Sequence, residues 1–200
     1  MILKKTYQKQ AKKLIIFASG NGSNAQNIIK YFKNNLNIEV QAVFCNKPNA
    51  KVLDKAKAES VDTFVFNKSE LQNREVVLAK LQDLSPDLIV LAGFLLKIPD
   101  FIISSFEQKI INIHPALLPK YGGKGMYGMH VHEAVVNDKE TETGITIHYV
   151  NEHYDEGAII FQAKCEVLGT DTAEDVAEKI HELEMEHFPK VTENTLMGLM

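Results

Sequence analysis

The strongest constraint on the fold of this chain is a regular alternation of short apolar runs with segments of helical composition. Continuous apolar runs of this length are typical of strands that are buried on both faces of a parallel sheet. Because helical segments separate them, we predict an α/β fold with a doubly wound, mostly parallel sheet. The predicted strands cover residues 14–18, 40–45, 63–66, 88–91 and 110–113, and the predicted helices cover residues 24–33, 50–58 and 70–84.

The sequence pattern changes after residue 140, where apolar and polar residues alternate. Alternation of this kind is typical of antiparallel strands. We therefore predict an antiparallel addition near the C-terminus, with strands over residues 145–150 and 159–167 and an exposed loop over 151–157 between them. A final helix is predicted over residues 172–187, and Pro189 is expected to end it.

Length, charge and composition narrow the class of protein. The 200 residues carry 22 basic and 26 acidic side chains, a net charge of −4, which argues against a duplex nucleic-acid binder. No apolar stretch approaches the roughly 18 residues of a membrane span, and the lysine-rich start lacks the apolar segment of a signal peptide. We therefore predict a cytoplasmic protein without nucleic-acid or membrane partners. Residues 14–200 are predicted to form one domain, preceded by a flexible N-terminal arm over residues 1–13.

The loop after the first predicted strand, over residues 20–25, reads GNGSNA. Its glycines let the backbone approach an anion, and the following helix N-terminus offers free N–H groups, so we predict a phosphate site. The spacing also satisfies the G-x-G-x-x-A pattern of dinucleotide-binding folds. That alternative requires an acidic residue at the end of the second strand, where residues 45–47 read Cys-Asn-Lys and the nearest acid is Asp54. A tight strand-to-helix turn without a ligand is the other alternative.

Two polar side chains, Asn112 and His114, end the fifth predicted strand. Their spacing of two puts them on one face, at the carboxyl edge where open α/β sheets hold ligands. The acidic loop over residues 151–157 can place a carboxylate beside the histidine and form a proton-transfer pair. Asn112 is then free to stabilise a developing oxyanion. The set therefore predicts acyl transfer to a nucleophile that the substrate itself supplies.

Metal binding is the alternative to proton transfer as a function for the histidines. His130 and His132 form a possible ligand pair among the seven histidines, but no HExxH or Cys/His spacing accompanies them, so we predict no metal site. The glycine-rich segment over residues 122–128 cannot form a regular element, and we predict a mobile loop there.

Taken together, these motifs resemble those of the phosphoribosylglycinamide formyltransferases, a family of folate-dependent enzymes of purine synthesis. The resemblance covers the chain from about Leu14 onward. It implies a Rossmann-like formyltransferase fold, 10-formyltetrahydrofolate as co-substrate, glycinamide ribonucleotide as formyl acceptor, no metal, and a monomer or homodimer. It rests on residues that occur in the family's order, at 19–24, 90–94, 112–121, 144–146 and 155–157.

The resemblance also implies roles for individual residues. Asp155 is expected to hold the ring of His114 and to raise its pKa. The implied catalytic residues are Asn112, His114 and Asp155. The implied ribonucleotide-binding residues are Gly22, Ser23, Asn24, His181 and Glu184. The implied folate-binding residues are Arg74, Leu95, Leu96, Lys97, Ile98 and Asn112.

The chain departs from the family pattern in a few places. Leu96 stands where many members have arginine, so folate contacts there fall to the backbone, and the loop over residues 122–129 is longer and richer in glycine. The helix around Arg74, the only arginine of the chain, is shortened. Two related activities, hydrolysis of 10-formyltetrahydrofolate and formylation of methionyl-tRNA, require an additional domain for which the length leaves no room. A phosphate- or nucleotide-binding module without chemistry is the alternative from another class.

Overall fold

The apolar runs of the sequence form a seven-stranded sheet in the computed structural model, which describes residues 10–199. The strands are β1 (Lys12–Ala18), β2 (Ile38–Cys45), β3 (Asp62–Val65), β4 (Leu88–Leu91), β5 (Ile110–His114), β6 (Glu142–Tyr149) and β7 (Ile159–Glu166). Their order is β3-β2-β1-β4-β5-β6-β7, parallel from β3 to β5 and antiparallel at β6 and β7. The predicted fold class is confirmed.

Helices cover both faces of the sheet. They are α1 (Ser23–Phe32), α2 (Lys51–Ala58), α3 (Lys68–Leu71), α4 (Ala79–Leu84), α5 (Asp100–Ser105), α6 (Met129–Asn137) and α7 (Ala173–Met197). Along β1, Leu14 and Ile16 pack beneath α1, α2, α6 and α7, whereas Ile15 and Phe17 pack beneath α3, α4 and α5. All four side chains are fully buried, which is why this strand reads as a continuous apolar run.

The first strand starts earlier than predicted. Lys12 and Lys13 pair with β2 in the parallel ladder, and the ammonium of Lys12 lies 2.8 Å from Oδ1 of Asp87. These two lysines were expected in the flexible arm, but backbone pairing and the ion pair place them in the sheet. Residues 1–9 of the predicted arm lie outside the described residues.

The helix predicted over residues 70–84 is interrupted. The Asn73 side chain accepts a hydrogen bond from the N–H of Glu75 and begins a π-helical turn, Arg74–Leu78, between α3 and α4. Asparagine side chains compete with the helical backbone for such N–H groups. A single helix over this range was therefore a wrong prediction.

The final helix extends past the residue that was expected to end it. Pro189 lies inside α7, which continues to Met197. A proline has no N–H for the carbonyl four residues earlier, and here that carbonyl, on Met185, instead accepts a hydrogen bond of 2.7 Å from the side chain of Asn27. Because Pro189 is also buried in the core, packing and this substitute bond let the helix continue.

Two helices were not predicted, α5 and α6, and both are short. Between the end of β5 and α6 the segment over residues 122–128 forms neither helix nor strand, in line with its glycine content. Among residues 10–199, no helix combines the length and the apolar character that crossing a membrane requires.

Candidate active site

A cleft of about 520 Å³ opens at the carboxyl ends of the parallel strands, where open α/β sheets bind ligands. The ends of β4 and β5 form its floor, α7 closes one side, and loops over residues 93–98, 123–128 and 150–155 surround it. The predicted site residues that line the cleft are Asn24, Leu95, Leu96, Lys97, Ile98, Asn112, His114, Asp155, His181 and Glu184.

The loop between β6 and β7 carries Asp155 into the cleft. Asp155 adopts a left-handed backbone conformation, and its Oδ2 accepts a hydrogen bond of 2.9 Å from the N–H of Gly123. Oδ2 also lies 3.6 Å from Nδ1 of His114, and Oδ1 lies 3.6 Å from Nε2 of His148. At these separations the carboxylate acts on both rings mainly through its charge. Gly157 lets the loop return to the sheet, because a Cβ there would collide with the backbone of β6.

His114 is held with its proton on a defined nitrogen. The residue is 3% exposed, and its Nε2 lies 2.7 Å from the carbonyl oxygen of Tyr121. A carbonyl can only accept, so Nε2–H donates and, in the neutral ring, the lone pair on Nδ1 faces Asp155.

Burial lowers the pKa of His114 below its ordinary value. The charge of Asp155 and the hydrogen bond to Tyr121 both favour the protonated ring, but they do not offset this burial, and the charge of His148 adds to the lowering. The expectation that Asp155 raises the pKa of His114 is right for that interaction, but burial makes the net shift a lowering. The physical reason is the depth at which the ring lies.

Asn112 is oriented by a histidine on the neighbouring strand. Asn112 and His148 occupy directly opposed positions of β5 and β6. Nδ1 of His148 lies 2.9 Å from the carbonyl oxygen of Tyr149 and donates to it, so Nε2 accepts from Nδ2 of Asn112 at 3.2 Å. The amide nitrogen of Asn112 carries two N–H groups, and one of them stays free for a ligand.

Asp155 is a carboxylate at neutral pH. Burial favours its protonated form, but contact with His148, the charge that His114 carries when its ring is protonated, and the N–H of Gly123 hold the pKa of the carboxyl below its usual value. The cleft thus places a carboxylate beside a neutral imidazole. A proton that arrives on Nδ1 of His114 creates a cation next to that anion.

The predicted phosphate loop forms the turn between β1 and α1. Gly22 has a positive φ of 74°, and a Cβ on it would collide with Val52, so glycine is required there. Ser23 begins α1. Neither Gly22 nor Ser23 lines the cleft, whereas Asn24 does.

The side chains of Asn24, His181 and Glu184 form what we call the side-chain wall of the cleft. Nδ2 of Asn24 donates to Oε2 of Glu184 at 2.8 Å, and Nδ1 of His181 lies 3.7 Å from the same oxygen. Burial raises the pKa of Glu184 above its ordinary value, although Asn24 and His181 act in the opposite direction. The structure therefore brings together residues from α1 and α7 that the resemblance assigned to one ligand.

Residues 93–98, which follow β4, form what we call the backbone wall. This segment is neither helix nor strand, and the side chain of Leu95 within it is 52% exposed. Arg74, also predicted to bind folate, does not line the cleft. Its guanidinium lies 4.6 Å from the ring centre of Phe101, in a cation–π contact on α5.

Three histidines that line the cleft, His132, His148 and His153, were not identified as site residues from the sequence. The role of His148 depends on the pairing between β5 and β6, which periodicity alone does not reveal. His132 on α6 is 6% exposed, and its Nδ1 has no hydrogen-bond partner in the described part of the chain. Burial, and then the charge of His114, lowers the pKa of His132.

Clusters that suit a metal ion were sought among the histidine, cysteine, aspartate and glutamate side chains. Within residues 10–199, no group of three or more of them is arranged to hold one.

Comparison with known proteins identifies relatives over most of the chain. Residues 12–192 match the family model described as formyl transferase. The chain is 36% identical over 193 residues to the phosphoribosylglycinamide formyltransferase of Bacillus subtilis, covering 94% of this chain and 96% of that protein. It is 37% identical over 187 residues to a chloroplastic phosphoribosylglycinamide formyltransferase of Vigna unguiculata, covering 91% of this chain but only 60% of the length of that protein.

The fold is shared with a solved structure. The crystal structure of phosphoribosylglycinamide formyltransferase from Anaplasma phagocytophilum superposes with a TM-score of 0.85 at 31% identity, covering 94% of this chain and 88% of that one.

Proposed function

The chain belongs to the formyl transferase family, and from this premise we propose that it is a phosphoribosylglycinamide formyltransferase of de novo purine (IMP) biosynthesis. It transfers the formyl group of 10-formyltetrahydrofolate to the amine of N1-(5-phospho-D-ribosyl)glycinamide. The observation that carries the proposal is the cleft itself, because one cavity joins Asn112, His114 and Asp155 to both walls. We place the reaction in the cytoplasm, without nucleic-acid or membrane partners, in a monomer or homodimer.

The two walls suit the two substrates. The side-chain wall has a buried carboxyl and an amide, groups that recognise ribose hydroxyls, and it lies beside the turn over residues 20–25 that predicts a phosphate site. The proposed ribonucleotide contacts are Gly22, Ser23, Asn24, His181 and Glu184. The backbone wall offers free N–H and C=O groups beside apolar side chains, which suits a flat heterocycle. The proposed folate contacts are Leu95, Leu96, Lys97, Ile98 and Asn112, whereas Arg74 lies outside the cleft and is not proposed as a contact.

His114 is the proposed proton carrier. The amine nitrogen forms a bond to the formyl carbon, and the proton it gives up is accepted by the Nδ1 lone pair of His114. The resulting imidazolium faces Oδ2 of Asp155, 3.6 Å away, which stabilises it. As the bond between the formyl carbon and the folate nitrogen breaks, the proton is returned to that nitrogen, so the ring ends neutral.

Asn112 is the proposed oxyanion donor. The formyl oxygen gains negative charge when the amine attacks, and the N–H of Asn112 that His148 does not use can donate to it. A donor held in place before the reaction begins stabilises the transition state without reorganisation. The hydrogen bond to His148 supplies that fixation.

The proposal is tested by mixing the protein with 10-formyltetrahydrofolate and following the folate absorbance with and without glycinamide ribonucleotide. We expect turnover that requires the ribonucleotide and that His114→Ala abolishes. His130→Ala, which removes an exposed histidine of α6, is the matched control and should keep full activity. Turnover without the ribonucleotide would instead identify a hydrolase. Ribonucleotide binding without turnover would identify a binding module.

A further inference from the structure

In the part of the chain that the structure describes, the backbone hydrogen bonds that join the backbone wall to the sheet all involve a single residue, Ser19. Among the described residues, the N–H of Leu95 is the only amide of residues 93–98 with an acceptor in the protein, and that acceptor is Oγ of Ser19, at 3.0 Å. Within residues 10–199, the only carbonyl of the same segment with a donor is that of Gly93, which accepts from the N–H of Ser19 at 3.1 Å. Both polar anchors of the wall therefore lie on Ser19.

The hydroxyl of Ser19 is itself held in one orientation. Ser19 is 1% exposed, and its Oγ–H donates to Oδ1 of Asn46 at 2.6 Å. A hydroxyl has one proton and two lone pairs. Because the proton is committed to Asn46, a lone pair is left to receive the N–H of Leu95. Asn46 thus orients the Ser19 hydroxyl so that its lone pair can accept the hydrogen bond from Leu95.

Ser19 and Asn46 follow neighbouring strands of the sheet, β1 and β2. The loop that continues from Ser19 is the glycine turn over residues 20–25, and the segment that it anchors is the backbone wall. Neither side chain lines the cleft. Any influence on a ligand must therefore act through the position of the anchored backbone.

We infer that Ser19, oriented by Asn46, is a positioning residue that holds the backbone wall in the geometry that binds the folate co-substrate. The inference rests on the proposed function and adds to it a residue whose effect falls on one substrate. Removing the hydroxyl releases the Leu95 amide and lets residues 93–98 move. The free N–H and C=O groups of the wall then no longer point in fixed directions toward a bound heterocycle.

Steady-state kinetics of Ser19→Ala test this assignment. The expected result is a rise of the KM for 10-formyltetrahydrofolate of about 5- to 10-fold, the loss that one neutral hydrogen bond carries. The KM for the ribonucleotide should stay within about twofold and kcat within about threefold, since the reacting groups are untouched. Ser104→Ala, which removes an exposed hydroxyl from α5 just beyond the wall, is the matched control and should change none of these constants.

Variants of Asn46 separate positioning from simple loss of packing. Asn46→Asp keeps an acceptor for the Ser19 hydroxyl and should retain most of the folate affinity, whereas Asn46→Ala should raise the folate KM. The double variant Ser19→Ala/Asn46→Ala should resemble Ser19→Ala alone, because both changes act on one contact. Additive effects of the two changes would contradict the inference, and so would equal increases of both substrate KM values.

Hydrogen exchange gives a readout that does not depend on catalysis. Amides of residues 93–98 should exchange faster in Ser19→Ala than in the wild type, and added tetrahydrofolate should protect them in the wild type much more than in the variant. If the wild type transfers no formyl group but shows this protection, the proposed function fails and the positioning role stands. If tetrahydrofolate leaves residues 93–98 of the wild type unprotected, the positioning role is overturned.

Discussion

The two walls of the cleft present different chemistry to a ligand. The side-chain wall is made of Asn24, His181 and Glu184, which come from helices 160 positions apart in the chain and meet at a 2.8 Å hydrogen bond. The backbone wall, over residues 93–98, presents main-chain groups and is anchored through Ser19. Recognition by side chains can be altered one residue at a time. Recognition by main-chain groups changes only when the backbone itself moves. The residues that control ligand binding at the backbone wall are therefore those that anchor its backbone, such as Ser19, and not those that line the cleft.

Substitutions in the reaction centre, which lies between the two walls, should lower kcat and leave the KM of each substrate unchanged. We expect Asn112→Ala to lower kcat by about 100- to 1000-fold, the typical loss for one oxyanion donor. Both KM values should stay near those of the wild type, because neither wall is changed. Asn137→Ala, on the exposed end of α6, is the control. Near-normal turnover of Asn112→Ala would remove this residue from the mechanism.

The side-chain wall should respond with a loss of affinity for one substrate. Glu184→Gln keeps the shape and a partner for Asn24 but removes the charge, and hydrogen bonds to charged groups are the stronger ones. The KM for the ribonucleotide should rise by about 10- to 100-fold, while the folate KM stays unchanged. Glu182→Gln, on the exposed face of the same helix, should behave as the wild type. An increase confined to the folate KM would mean that the walls are assigned to the wrong substrates.

The sequence was sufficient to predict the sheet and the reaction centre for reasons that can be traced to particular residues. Residues 14–18 are apolar because both faces of β1 are covered, and Asn112 and His114 stand out because they are polar at the end of such a strand. The motif over residues 112–121 made the family recognisable. Each of these features could be predicted because it is encoded by residues that are adjacent in the sequence.

Other features depend on contacts between distant parts of the chain and could not be predicted locally. Pro189 fails to end α7 because Asn27 satisfies the carbonyl of Met185 from another helix. The net pKa direction of His114 depends on burial that only the folded chain creates. Ser19 appeared in the sequence only as the first residue of the motif over residues 19–24, and its contact with Leu95 joins positions that are far apart in the chain.

The pH profile should distinguish the reaction centre from both walls. A neutral His114 is required to accept the proton, and burial lowers its pKa below the ordinary value of 6.5, so kcat at saturating substrates should stay constant down to that pH and fall about tenfold per unit only at more acidic pH. Asp155→Asn removes the interaction that raises the pKa of His114, and the acidic limb should shift to still lower pH while the rate drops. Glu184→Gln and Ser19→Ala should leave the limb in place. A limb above 6.5, or one that the wall variants move, would contradict this account.

The same titration predicts how stability depends on pH. Because the folded state lowers the pKa of His114, the unfolded chain binds more protons between that value and 6.5, so stability rises with pH through this window. The lowered pKa of Asp155 acts in the same direction at more acidic pH, since its stabilisation is lost as pH falls through the folded pKa. Denaturant titrations between pH 7 and pH 4 should therefore show falling stability, and His114→Asn should flatten the upper part of the curve. An unchanged slope in that variant would assign the effect to other groups.

The smallest effect is expected where a side chain is removed from the backbone wall. Leu95→Ala shortens a side chain that is 52% exposed but keeps the N–H that donates to Ser19. Because only a small apolar contact with the ligand is lost, the folate KM should change by no more than about threefold. Gly93→Ala is the informative partner. It adds one methyl group to open space, yet Gly93 has a φ of +74°, which strains any other residue and shifts the chain. If Leu95→Ala weakens folate binding more than Gly93→Ala does, this wall recognises its ligand through side chains, and the contrast between the two walls is wrong.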